Sequence, residues 1–263
     1  MRKRVTPASA ASVTMAIPAR MVGPVQTTPH GWQIIDADAG VLALTYQFGP
    51  GATANCFVAK LASGGLLVIS PPPKISTQEL EDLAAFGTVE AIATNNGFHH
   101  LGLGRWRELF PNARLFAAPG AAERIAKKSN NAGELEPLSA LQPLLGDDVA
   151  VVETPASKCG ETWARAKIQG GYAWYASDIL ANMDLPPKFM ARMLFKLTKS
   201  APGYRVFHLA HKFMATDKRA VLQAMLDDVR QHPPTVMIPA HGEILDAASV
   251  AQDTENLLVA ETG

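Results

Sequence analysis

VEAIATNNGFHHLGLGRWREL, residues 89–109, decides how this chain folds. Its opening VEAIATN is a short apolar run of strand length, and its closing LGLGRWREL carries the apolar spacing of a helix. The polar turn between them delivers His99 and His100 to the C-terminal end of a buried strand. In α/β sheets that end is where ligands bind, because the loops there are free to carry polar groups. On a regular helix two adjacent imidazoles diverge by roughly 100°, whereas in a strand-to-helix turn they can converge. Neutral imidazole is the commonest metal ligand. GLGRWR itself is not a nucleotide loop, since it matches neither GxGxxG nor GxxxxGK[ST].

Working outward, residues 32–36 and 41–48 are β-rich runs joined by ADAG, a hairpin. ATANCFVAK and LLVIS flank a Ser-Gly-Gly turn, and the second stops at three prolines, which cannot continue a ladder. STQELEDLAAF starts a helix, with Ser before an apolar-periodic run and acids in its first turn. Beyond the central stretch, ARLFAAP is a strand and GAAERIAKK a helix; such alternation means βαβ units and a partly parallel sheet. Residues 129–148 are polar and irregular and are expected to form a surface excursion. Strands return at 149–154, 161–169 and 170–178, with Gly-Gly marking a hairpin between the last two. KFMARMLFKL (188–197) is amphipathic and basic; its plain reading is a helix packed on the body with Lys and Arg outward, the alternatives being a substrate entrance or a lipid contact. A helix over 217–232, a buried strand over 234–239 ending at PAHG, and a helix over 248–260 complete the chain.

Two β-rich halves, each followed by helices, predict an α/β fold of αββα type: a sandwich of two mixed sheets with outer helices. We expect one domain over residues 31–263, preceded by a flexible lead-in over 1–30. That lead-in begins with basic residues, but its Ala/Ser/Thr middle lacks the Leu-rich stretch of an export signal.

Composition limits the function classes. Lys plus Arg (24) equals Asp plus Glu (24), so the chain has no general attraction to nucleic acid or an anionic membrane. No apolar run approaches the roughly 20 residues that span a bilayer. Cys56 and Cys159 lie far apart with no CxxC context, which suits a reducing, cytoplasmic setting and two small buried hydrophobes. The partner expected is a small-molecule substrate.

Two further strand ends deliver ligand-type residues: Asp178 after YAWYAS, and His241 after VMIPA, where Gly242 lets the backbone turn tightly. His99, His100, Asp178 and His241 supply three imidazoles and one carboxylate, enough for one zinc-like ion. His208 and His211, at i and i+3, share a helix face but lack the Glu of HExxH; we expect ordinary polar positions near a pocket rim. His30 and His232 sit beside prolines and are expected to be solvated. No GxSxG elbow is present.

The order of these strand-terminal motifs, from about residue 32 to 245, resembles the metallo-β-lactamase superfamily. NNGFHH (95–100) sits on that family's HxHxDH motif, SDIL (177–180) on its bridging-acid motif and PAHG (239–242) on its last His motif. Asn95 and Gly97 stand where the first two histidines belong, His99 stands at the aspartate, and Ser157 or Lys158 of TPASKCGET replaces the lone histidine. The resemblance therefore implies loss of the first metal site and survival of the second, built by His100, Asp178 and His241 with His99 substituted. It implies a mononuclear hydrolase of an ester, lactone, amide or related bond, with Asp178 and His100 catalytic and one divalent ion, Zn²⁺ or else Fe or Mn. The alternative is a non-catalytic binding or interaction module on the same fold. Di-iron oxidoreductase chemistry needs two ligand sets, and this chain supplies one.

Overall fold

In the stretch ATANCFVAK, Cys56 and Val58 face one way and Phe57 and Ala59 the other, and all four are buried. A strand apolar on both faces has a layer on each side. The computed structural model, which describes residues 26–129 and 132–263, shows those layers.

The first sheet runs in chain order: β1 (Gln26–Thr27), β2 (Gln33–Asp36), β3 (Val41–Gly49), β4 (Ala52–Lys60), β5 (Leu66–Ile69), β6 (Val89–Ala93), β7 (Arg114–Ala117) and β8 (Glu136–Pro137). Pairing is antiparallel from β1 to β5 and parallel from β5 to β8. The second sheet contains β9 (Val149–Glu153), β10 (Thr162–Ile168), β11 (Gly171–Ser177) and, beyond the short ladder of β12 (Leu180–Met183) with β13 (Gly203–Val206), β14 (Pro234–Pro239). Its order is β14-β11-β10-β9, with β11 and β14 parallel.

Three buried clusters correspond to the three interfaces of an αββα stack. Phe57, Ile69, Phe116, Tyr175 and Ile238 meet between the sheets. Val58, Val68 and Ile92 meet Leu83 of α1 (Thr77–Ala84), Trp106 of α2 (Leu103–Leu109) and Ile125 of α3 (Pro119–Lys128) on one outer face. Trp163, Trp174 and Met237 meet Leu222 and Met225 of α7 (Lys218–Gln231) and Leu258 of α8 (Val250–Thr262) on the other. Buried indole N–H groups need internal acceptors. Trp106 donates to the Pro72 carbonyl at 2.9 Å. Trp174 donates to the His232 carbonyl at 2.8 Å. The start of α1 is a capping box formed by Ser76 and Glu79.

The expected sandwich of two mixed sheets is present; two local expectations change. The 129–148 excursion holds β8 and α4 (Gln142–Leu145), and its Leu138, Leu141 and Leu145 enter the core between the sheets. Three leucines at near-helical spacing outweigh its polar composition. Residues 1–25 of the expected lead-in lie outside the described residues, while Gln26 and Thr27 pair with β2. Helix α5 (Phe189–Leu197) has no buried residue, so it is not packed with its apolar face inward. The remaining helix, α6 (His208–Met214), bridges α5 and α7 in the chain. Among the described residues, no helix is long and apolar enough to cross a membrane.

Candidate metal centre

Four strand ends open on one rim of the sandwich: Ser70 follows β5, the NNGFHH turn follows β6, Asp178 follows β11 and His241 follows β14. Ser70 and Ser177 both have positive φ. They are held in the left-handed region, a strained backbone for a residue with a Cβ. At His241 the turn requires glycine next in sequence. Gly242 also has positive φ, and a Cβ there would collide with the Asn182 carbonyl oxygen.

These ends bring three of the four expected residues together. His99, Asp178 and His241 each offer a ligand atom, and the atoms lie within 4.8 Å of one another. His99 Nε2 is 3.2 Å from Asp178 Oδ2, and His241 Nε2 is 3.2 Å from Asp178 Oδ1. Bonds of about 2.0–2.2 Å at tetrahedral angles space ligand atoms by roughly 3.3–3.6 Å.

His100 does not join them. The turn closes with His99 N–H on the Asn96 carbonyl, which sends His99 inward, and His100 Nδ1 bonds its own turn at the Gly97 carbonyl at 3.0 Å. Burial lowers the His100 pKa. The expected four-residue convergence is therefore three, because consecutive side chains of this turn part rather than meet. His208 and His211 stand apart as well. His208 pairs with Glu261 at 3.2 Å, and buried His211 is 3.3 Å from the Ile179 carbonyl. His30 and His232, read as solvated, bind Asp82 at 3.0 Å and Asp228 at 2.8 Å.

Each ligand-type side chain is oriented from behind. His241 Nδ1 faces the Thr53 carbonyl at 2.8 Å. A carbonyl only accepts, so Nδ1 carries a hydrogen, and Nε2 is the ring atom turned toward Asp178. His99 Nδ1 lies 2.8 Å from Ser70 Oγ, which in turn lies 3.0 Å from the Tyr46 hydroxyl. Burial pushes the Tyr46 phenol up, so it stays protonated. Asn96 donates to Asp178 Oδ2 at 2.8 Å and to Glu161 Oε2 at 3.1 Å, and the Asp178 amide donates to Glu161 Oε1 at 3.1 Å.

Glu161 and Asp178 are both buried and set against each other. Burial would raise the Asp178 carboxyl, but the charges of His99 and His241 hold it well below the usual range. Burial, then the Asp178 charge, pushes Glu161 well up. The two neighbouring carboxyls are thus pushed in opposite directions. Sequence reading missed Glu161, Asn96 and Ser70. The visible signal was an acid in TPASKCGET, the loop where the resembling family carries its lone histidine.

Asp178 Oδ1 is buried and faces His241 Nε2 at 3.2 Å. Two lone pairs so close, out of water, require a cation or a proton between them. Two imidazoles and one carboxylate suit zinc with an open position, and also Fe or Mn. The donor set and its spacing therefore fit one divalent ion.

The centre forms the floor of a cavity of about 560 Å³, largely apolar, with Phe48, Phe98, Leu101 and Phe213 among its walls. Among the described residues, Arg124 is the one Arg or Lys lining it, its guanidinium 3.7 Å from the centre of the Phe98 ring.

No protein-family model matches the sequence, and no curated protein does. Solved structures do match in three dimensions. DIM-1 metallo-β-lactamase superposes with a TM-score of 0.52 at 12% identity, over 88% of this chain and 98% of that one. VMB-1 gives 0.51 at 11% identity over 90% and 100%. The Flv1 flavodiiron core from Synechocystis sp. PCC6803, in a metal-soaked structure, gives 0.55 at 10% identity over 87% of this chain and 61% of that one. The chain has the metallo-β-lactamase fold.

Proposed function

We propose that this protein is a hydrolase of a small-molecule ester, lactone, amide or related bond, working through one divalent metal ion held by His99, Asp178 and His241. The observation that carries this reading is the approach of three metal-type donors within 4.8 Å on the floor of an apolar cavity. A divalent ion supplies Lewis acidity and an activated water. Zinc is the first choice, with Fe or Mn suited to the same donors.

The chain's own groups divide the remaining work. Ser70 and the Thr53 carbonyl hold the two imidazoles with Nε2 toward Asp178. Asn96 and Glu161 hold Asp178 from behind. The aromatic walls keep bulk water off the reacting bond, which strengthens every polar interaction inside. Arg124 offers a cation to an oxygen-rich substituent of the substrate.

A binding module without metal is the competing reading. One observation favours it: although burial lowers the His241 pKa, the Asp178 charge more than offsets that and raises it overall. A proton on Nε2 would then stand where the metal would. Metal analysis of untreated protein by mass spectrometry decides between the two, combined with turnover on a panel of esters, lactones and phosphoesters. Near-stoichiometric metal with chelator-sensitive turnover supports the hydrolase. Metal at background level with no turnover supports the module.

A further inference from the structure

Helix α5 turns its large apolar side chains outward. Phe189 (72% exposed), Met190 (77%), Met193 (41%), Leu194 (46%) and Leu197 (76%) all meet solvent. At roughly 100° per residue they fall within one arc of about 140°. The opposite side holds the half-buried Ala191 and Phe195, and Phe195 packs on Phe207 with ring centres 5.9 Å apart. The helix is thus seated by its narrow side and presents its broad apolar side. Phe213 of α6 adds a further side chain, 62% exposed. Exposed apolar surface of this kind marks a contact site.

The charge around the helix says what kind of contact. Between residues 185 and 216 the chain carries Lys188, Arg192, Lys196, Lys199, Arg205 and Lys212 and no Asp or Glu, although the whole protein is neutral. All six are exposed. Among the described residues, none of Lys188, Arg192, Lys196 and Lys199 forms an ion pair with a carboxylate. A second copy of the chain would set these cations against their own kind.

We propose that this face docks on an anionic lipid bilayer, with α5 lying in the plane of the headgroups. Bulky apolar side chains on one face, flanked by lysine and arginine, are what a helix needs to rest at such an interface. Nine residues span only about 13 Å. No helix of the described residues can cross a membrane, so the attachment is peripheral. Phe207 stands between Phe195 and His241, 5.9 Å from each ring centre, so the docking helix is seated close to the rim that holds His241. The inference does not depend on the proposed metal binding at that rim.

Co-sedimentation of the full chain with phosphatidylcholine vesicles, with and without added phosphatidylglycerol, tests it. The expected result is binding only when phosphatidylglycerol is present, weakened at high salt. K188E/R192E/K196E should lower the partition coefficient at least tenfold, and so should M193S/L194S. All five positions are exposed, and matching thermal melts and circular dichroism would show that the variants are folded. Failure to bind phosphatidylglycerol vesicles, or binding indifferent to the charge reversal, would overturn the proposal. So would a concentration-dependent dimer abolished by M193S/L194S, which would assign the face to a second copy.

Discussion

Ser70 Oγ lies 2.8 Å from Nδ1 of His99, joining the end of β5 to the turn after β6. The same hydroxyl lies 3.0 Å from the Tyr46 hydroxyl, so Ser70 links His99 to Tyr46 and holds the ring with Nε2 toward Asp178. Ser70→Ala should lower metal affinity by roughly 10- to 100-fold, as loss of an outer partner of a ligating histidine typically does. Competition against a metal-binding dye measures this. Unchanged affinity would show that Ser70 does not orient the ring.

Neighbouring histidines should behave differently. His241→Ala removes one of three donors and should leave the purified protein without metal and without turnover. His100→Ala, outside the group, should keep its metal. Loss of metal from both variants to the same degree would return His100 to the centre.

The pH dependence has a predictable sign at Glu161. Its folded pKa is raised, so its stabilising contribution is complete below the unfolded value and is lost as pH rises through the folded one. Glu161→Gln abolishes that titration. In chelator-treated protein, the stability of the variant relative to the native chain should grow with pH above the ordinary carboxylate range, by up to about 1.4 kcal/mol per pH unit. Urea melts at several pH values give the slope. A flat difference contradicts a raised Glu161 pKa.

Asn55 ties the rim together. Its amide donates to the carbonyls of Pro239 at 2.8 Å and Gly242 at 2.9 Å, on either side of His241. Asn55→Ala strands one buried and one part-buried carbonyl and should cost about 2–4 kcal/mol, measurable by chemical denaturation. Metal affinity should fall with it.

Most of the architecture is legible along the chain. ATANCFVAK and VMIPAHG read as strands because alternation and apolar runs act over a few residues, and the same local logic puts Asp178 and His241 at strand ends. The 188–197 helix is legible as amphipathic, but amphipathicity does not say which way the apolar face turns. The leucines of residues 138–145 are hidden among polar neighbours, and only packing reveals them as core.

Local pattern and residue order sufficed for the αββα sandwich and for the candidate rim, since periodicity and strand termini are short-range properties. Choosing His99 over His100 required the fold, because a backbone turn sends adjacent side chains in different directions. So did finding Glu161, Asn96 and Ser70, which come from separate loops and act only through contacts a few ångströms long. The opposed pKa shifts of Glu161 and Asp178 follow from burial and from neighbouring charge, and neither exists until the sheets close.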